Sequence, residues 1–344
     1  MAAGTDKSDI LIAPVSGACF PVQIAELSLL FRHQYQPDIS LGCSGGAIAS
    51  FLALISNYKE SHLIRNSKYL SSELFKKDWT DTLSVISYLI GFCKGSLYHH
   101  SEESISLVKQ LTTRSTLRRG EIWIHAYETE VQRPVLFCTK SQSDCQLKIT
   151  DKRSVASQIG EVFYLDGDVD QFSLALRATS SIPLVVPRTK MEHHHRTGYY
   201  VDGGIYCASP VTLLSEELSE LAPFNLIYLS SNDLERQLSW KPVKETMATV
   251  LDRSASSIVN NKLLQDRNVC YNLLSRLGPI RSTTFDLTGL DDYFKKRHRW
   301  RSSLLEIYPD QEQQIELTDF TPEQVIFVIK KCQQSIKFRL WYVN

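Results

Sequence analysis

The sequence has no excess of either charge: Lys plus Arg and Asp plus Glu number 38 each over 344 residues. That balance argues against global electrostatic steering toward nucleic acid or an anionic surface. It has no run of about 18 uninterrupted apolar residues, so no membrane-spanning helix is expected. Met1 to Ser8 is small and polar rather than basic, so no secretory signal is expected and a cytoplasmic location is. No CxxC pair occurs among Cys19, Cys43, Cys93, Cys138, Cys145, Cys207, Cys270 and Cys332, so zinc-ribbon spacing is absent. Scattered cysteines with no secretory signal read as reduced thiols, mostly buried. No internal repeat or low-complexity linker is found.

What is present is an ordinary globular composition, 43% hydrophobic and 22% charged, enough for a sizeable core. Asp9 to Val15 reads as a strand, and Val22 to Phe31 has helical apolar spacing. Pro37 to Leu41 reads as a second short strand and Ala47 to Ile55 as a buried helix. This strand–helix–strand–helix order predicts an α/β fold with a parallel sheet. Residues 59 to 120 read as mainly helical. Further strands are expected at Ile122 to Tyr127, Pro134 to Cys138, Val162 to Leu165, Tyr199 to Val201 and Asn225 to Ser230. Phe172 to Arg177 lies in a helix that must end near Pro183. From about 233 onward the pattern is helical and less regular, with a strand-like piece at Ile336 to Val343.

Gly42-Cys43-Ser44-Gly45-Gly46 fits G-x-S-x-G, between a strand-like segment and a helix. A serine at such a turn sits in strained backbone, and flanking glycines let strand and helix approach. The helix N-terminus behind it favours developing oxyanion charge.

A serine nucleophile needs a base. His298 is the one histidine far downstream, but it lies in the basic run Lys295 to Arg301, which suits an exposed helix. A Ser-His-Asp esterase built on His298 is therefore the weaker reading. Val201-Asp202-Gly203-Gly204 offers a carboxylate at a strand end, with glycines making room beside it. Asp166-Gly167-Asp168 shows that an Asp-Gly turn alone does not discriminate. His193-His194-His195 reads as a surface loop rather than a metal site, because adjacent histidines point in different directions, and no metal is expected.

The ordered set of GCSGG, the strand Ile122 to Thr129, the segment Leu176 to Pro187 and VDGG resembles the patatin-like phospholipases. The resemblance implies a three-layer fold: a central, mainly parallel sheet flanked by helices. It implies a catalytic domain over 9–232, followed by a helical extension over 233–344 that packs on or continues the core. By residue it implies a Ser44 nucleophile with Asp202 as its dyad partner, supported by the glycines Gly42, Gly46, Gly203 and Gly204. An oxyanion hole is expected from Gly17, Ala18 and Gly45. The implied activity is phospholipase A-like hydrolysis of a phospholipid or other acyl-ester lipid, with no cofactor and no nucleic-acid partner. Peripheral contact with a membrane is expected, and Trp79 to Tyr98 reads as a buried helix or an interfacial one. The loop Val15 to Phe20 departs from the family pattern: it keeps one glycine, Gly17, and carries Cys19 near where the family has an arginine. That departure gives a second reading, a catalytically impaired fold that binds lipid or protein.

Overall fold

Successive side chains on a strand face opposite sides of a sheet, and residues 8–13 divide accordingly. Ile10 and Ile12 join one buried cluster, while Leu11 and Ala13 join another. The computed structural model describes residues 7–16, 19–74, 101–149, 159–183, 187–193, 196–231, 234, 247–310 and 322–344.

In chain order the first elements are β1 (Ser8–Ala13), α1 (Phe20–Arg32), β2 (Ile39–Gly42), α2 (Gly45–Ile55) and α3 (Glu60–Leu74). Then come α4 (Ser101–Leu111), α5 (Arg114–Arg119), β3 (Glu121–Glu128), β4 (Arg133–Cys138), β5 (Glu161–Tyr164) and α6 (Val169–Thr179). The hairpin β6 (Thr189–His193) and β7 (Arg196–Asp202) leads to α7 (Ser215–Glu220) and β8 (Phe224–Leu229). The last elements are α8 (Met247–Ser275), β9 (Arg281–Phe285), α9 (Leu287–Lys296), β10 (Ser302–Pro309), α10 (Pro322–Ser335) and β11 (Ile336–Val343). Trp79 to Tyr98 lies outside the described residues.

One sheet runs in the order β5-β4-β3-β2-β1-β8-β10-β11-β9. Its five central strands, β3 to β10 along that path, are all parallel, and antiparallel pairs appear toward both flanks. On one face, Leu11, Ile227, Leu305 and Ile307 pack against α1, α2, α3 and α10. On the other, Ile10, Ile12, Leu226, Tyr228 and Leu304 pack against α7 and α8. The result is helix, sheet, helix, the three-layer mixed α/β arrangement expected. α1 is buried on every side from Phe20 to Phe31, which puts even Gln23 and Glu26 inside.

The segment after residue 233 holds more strand than its pattern indicated. β10 pairs in parallel with β8, and β11 and β9 continue the sheet outward from it. Two features hid them. β9 is a polar and mostly exposed strand, so it has no apolar face to alternate. β10 buries Ser302, Ser303 and Glu306 among its apolar residues, with Glu306 held by Arg339 at 2.8 Å. β6 likewise had no apolar signature; its last residue is His193, and His194 and His195 lie outside the described residues.

Candidate active site

β2 ends at Gly42 and α2 begins at Gly45, so the chain turns across Cys43 and Ser44. Ser44 has φ 54° and ψ −127°, a strained conformation for a residue with a side chain. The glycines at the turn are required by contact. A Cβ on Gly46 would lie 1.9 Å from the Ala13 carbonyl oxygen, and one on Gly42 2.7 Å from Ala47 Cα. Only without these atoms can α2 press against the ends of β1 and β2.

The strand pattern explains what Ser44 meets. β2 and β7 share one edge of β3 and approach each other from opposite directions. Gly42, the last residue of β2, stands opposite Ile124. Asp202, the last residue of β7, stands opposite Ala126. Two strands thus finish two residues apart on β3, and both deliver their next chemistry to one place. The structure brings Ser44 and Asp202 together there, both nearly inaccessible to solvent.

Asp202 Oδ1 accepts from the Gly204 amide at 2.7 Å and faces the Cys43 thiol at 3.7 Å. Burial raises its pKa to about 6, against the pull of a side-chain hydrogen bond from Ser44, the Gly204 and Cys43 donors and the charge of Lys262. A carboxylate so placed is more basic than an exposed one, yet ionised near neutral pH. The Cys43 thiol is held well above its ordinary pKa by burial first and by the Asp202 charge second, so it stays a donor.

Three further residues at this site were not singled out in the sequence, although Thr179 and His125 lie in segments that resemble the family. Thr179, at the end of α6, accepts from the Ser44 amide at 2.9 Å and donates to the His125 carbonyl at 2.7 Å. His125, on β3, is wholly buried. Its Nε2 lies 3.4 Å from Cys207 Sγ and 3.8 Å from Cys43 Sγ. Burial lowers its pKa to about 4, so the ring is neutral at physiological pH. It also explains Gly203, where a Cβ would come within 2.4 Å of the His125 ring. Lys262, on α8, donates to the Gly204 carbonyl at 2.7 Å.

The other expected residues divide. Gly45 starts α2 directly behind Ser44, and Gly203 and Gly204 form a single turn of 3₁₀ helix after Asp202. Gly17 and Ala18 lie outside the described residues. His298 is not at the site: its carbonyl accepts from Lys7, just before β1, at the opposite end of the sheet from Ser44. Among the described residues one trio of possible metal ligands converges, Glu121, Cys138 and Cys145. It is separate from the elbow, since Glu121 stands opposite Ile39, at the other end of β2 from Ser44. The Glu121 carboxylate already accepts from the Trp123 indole and from the amides of Gln146 and Leu147, which makes it an anchor for that loop. The seven described cysteines are all free thiols. Among the described residues no helix is long and apolar enough to cross a membrane.

Comparison with known proteins gives one family. The patatin-like phospholipase family model matches residues 17–215, which spans the elbow, Thr179 and Asp202. Among solved structures, VipD from Legionella pneumophila is similar at 10% identity and a TM-score of 0.34, with 96% of this chain and 68% of that one covered. No curated protein matches the sequence. The match covers more than half of the chain, and the chain belongs to the patatin-like phospholipase family.

Proposed function

We propose that the protein is a phospholipase A-like acyl hydrolase in which Ser44 is the nucleophile and Asp202 its base. Family membership supports lipid acyl hydrolysis in general. The observation that carries the finer reading is the buried Asp202 carboxylate, with its pKa near 6, taking a hydrogen bond from the strained Ser44.

In this mechanism the Ser44 hydroxyl attacks the ester carbonyl while its proton passes to Asp202. The tetrahedral intermediate collapses to an acyl-enzyme, and Asp202 returns the proton to the departing alcohol. Water then attacks the acyl-enzyme, giving its proton to Asp202, and the free fatty acid leaves as Ser44 recovers its hydrogen. No metal is needed for these steps. Gly45, at the start of α2, is suited to donate to the oxyanion, with Gly17 and Ala18 as further donors in the family pattern. Ile205 and Tyr206, directly after the glycine pair, are 44% and 43% exposed, and Tyr206 stacks on Tyr127. They form an apolar rim suited to an acyl chain at a membrane surface.

Cys19, near where the family has an arginine, favours the second reading, an impaired fold that binds lipid or a protein. Loss of one oxyanion donor costs about 10²–10³ in rate. The test is labelling by a fluorophosphonate probe, with fatty-acid release from phospholipid vesicles measured in parallel. Labelling and release by the wild type, both lost in Ser44→Ala and Asp202→Asn, support the hydrolase. Vesicle binding without labelling or release overturns it in favour of the binding module.

A further inference from the structure

The family match ends at residue 215, yet a side chain from well beyond it reaches the turn beside Asp202. Lys262 lies on α8, and its ammonium donates to the Gly204 carbonyl at 2.7 Å. The amide of the same Gly204 donates to Asp202 Oδ1 at 2.7 Å. One glycine is therefore gripped on both sides, by the cation through its oxygen and by the carboxylate through its nitrogen. A Cβ here would lie 3.0 Å from Asp202 Oδ1 and 3.1 Å from Val15, so the turn is already tightly enclosed.

The same face of α8 holds the loop beyond that turn. One helical turn on, the buried Asp266 carboxyl accepts from the Thr212 hydroxyl and from Ser209. Between them Leu263 packs with Val15, Cys43 and Ala208, under the elbow. Lys262 forms no direct ion pair among the described residues. It is half-buried, and burial lowers its pKa, while the Cys207, Cys43, Asp202 and Asp266 groups act in the opposite direction. An ammonium kept in such a place against desolvation is oriented by the Gly204 carbonyl and by the negative charge of Asp202, while Asp266, raised to about 7 by burial, adds only part of a charge.

We propose that Lys262 is a positioning residue of the hydrolytic site: it fixes the Gly203–Gly204 turn that presents its amide to Asp202 and stabilises the negative charge of that carboxylate. The inference rests on the Ser44–Asp202 reading. The groups facing Asp202 are Ser44 and Cys43 from the elbow, the Gly204 amide from its own turn and Lys262 from α8. His125 of β3 stands behind Cys43 and is neutral. Removing the ammonium takes the one cation from this set and raises the Asp202 pKa further.

The experiment measures the second-order rate of Ser44 phosphonylation by a fluorophosphonate against pH. It compares the wild type, Lys262→Met and Lys262→Arg, with Ser44→Ala as the blank and melting temperature as the folding control. Lys262→Met is expected to lower the plateau rate about tenfold and move the acid limb up by a few tenths of a pH unit to one unit, in line with loss of one nearby opposite charge. Lys262→Arg is expected to keep the limb in place and restore part of the rate. Equal rate losses in both variants with an unmoved limb would leave Lys262 as a mere tether for α8 and overturn the proposal. So would a folded Lys262→Met with wild-type rate and profile. Absence of Ser44-dependent labelling in the wild type would instead remove the dyad, and this proposal with it.

Discussion

The amide of Ser44 donates to the hydroxyl of Thr179 at 2.9 Å, so a side chain at the end of α6 fixes the backbone of the elbow. That hydroxyl also donates to the His125 carbonyl, which ties the elbow to β3. Thr179→Val keeps the shape but leaves a buried amide and a buried carbonyl without partners. Each such group costs about 1–3 kcal/mol. We expect Thr179→Val to lower stability in denaturant melts by roughly that amount or somewhat more, and to slow Ser44 labelling. Thr179→Ser should retain most of both.

Asp202 sets a pH dependence with a definite sign. Its pKa is raised from 3.8 to about 6, chiefly by burial. In the proposed mechanism the carboxylate must be ionised, so kcat/KM should rise with pH through about 6 and then level. Stability runs the other way. Between the two pKa values the folded protein holds a proton that the unfolded chain has lost, so this group's contribution falls as pH rises and is constant above about 6. Asp202→Asn removes the ionisation. It should be inactive at every pH, and its stability relative to wild type should improve from pH 4 to pH 7 by up to about 3 kcal/mol.

The strain at Ser44 predicts a second trade of stability against function. With φ at 54° a side chain is unfavourable there, by about 1–3 kcal/mol for sparsely populated backbone regions. Ser44→Ala removes the hydroxyl and keeps the strain, whereas Ser44→Gly removes both. Both variants should be inactive. Ser44→Gly should be the more stable of the two by about 1 kcal/mol in chemical denaturation, despite the greater flexibility of glycine in the unfolded chain.

The parts of this site that were legible in the sequence are those made by local chain geometry. Gly42 to Gly46 and Asp202 to Gly204 are turns whose glycines stand next to the residues they serve, so a short window contains the whole device. The strands β1 to β5, β7 and β8 were legible because each carries an apolar run. Thr179, His125 and Lys262 were not, because each acts on a residue distant in sequence and its type suits a surface equally well. Thr179 lay inside a segment that matched the family, but nothing local tied its hydroxyl to the Ser44 amide. The strands β9 and β10 were missed for a different reason: a polar edge strand and one with buried Ser302, Ser303 and Glu306 lack the alternation on which the reading depends.

β10 continues the sheet from β8, and α8 supplies Lys262, so both the sheet and the surroundings of Asp202 include residues beyond 233. A chain stopped at residue 232 would leave β8, whose six residues are all buried, as an open edge.

The position of β1 has a consequence for how the protein is made. Ile10 pairs with Ile39 on one side but with Leu226 on the other, roughly two hundred residues further along. During synthesis β1 emerges before both partners and gains its near neighbour early, while its second edge stays bare until β8 leaves the ribosome. Its buried and largely apolar residues are a template for unwanted pairing throughout that interval. Closing so large a loop is also slow, since a long chain must be ordered before the contact rewards it. The seam between β1 and β8, in the middle of the sheet, thus closes only after the chain carrying both Ser44 and Asp202 has been made.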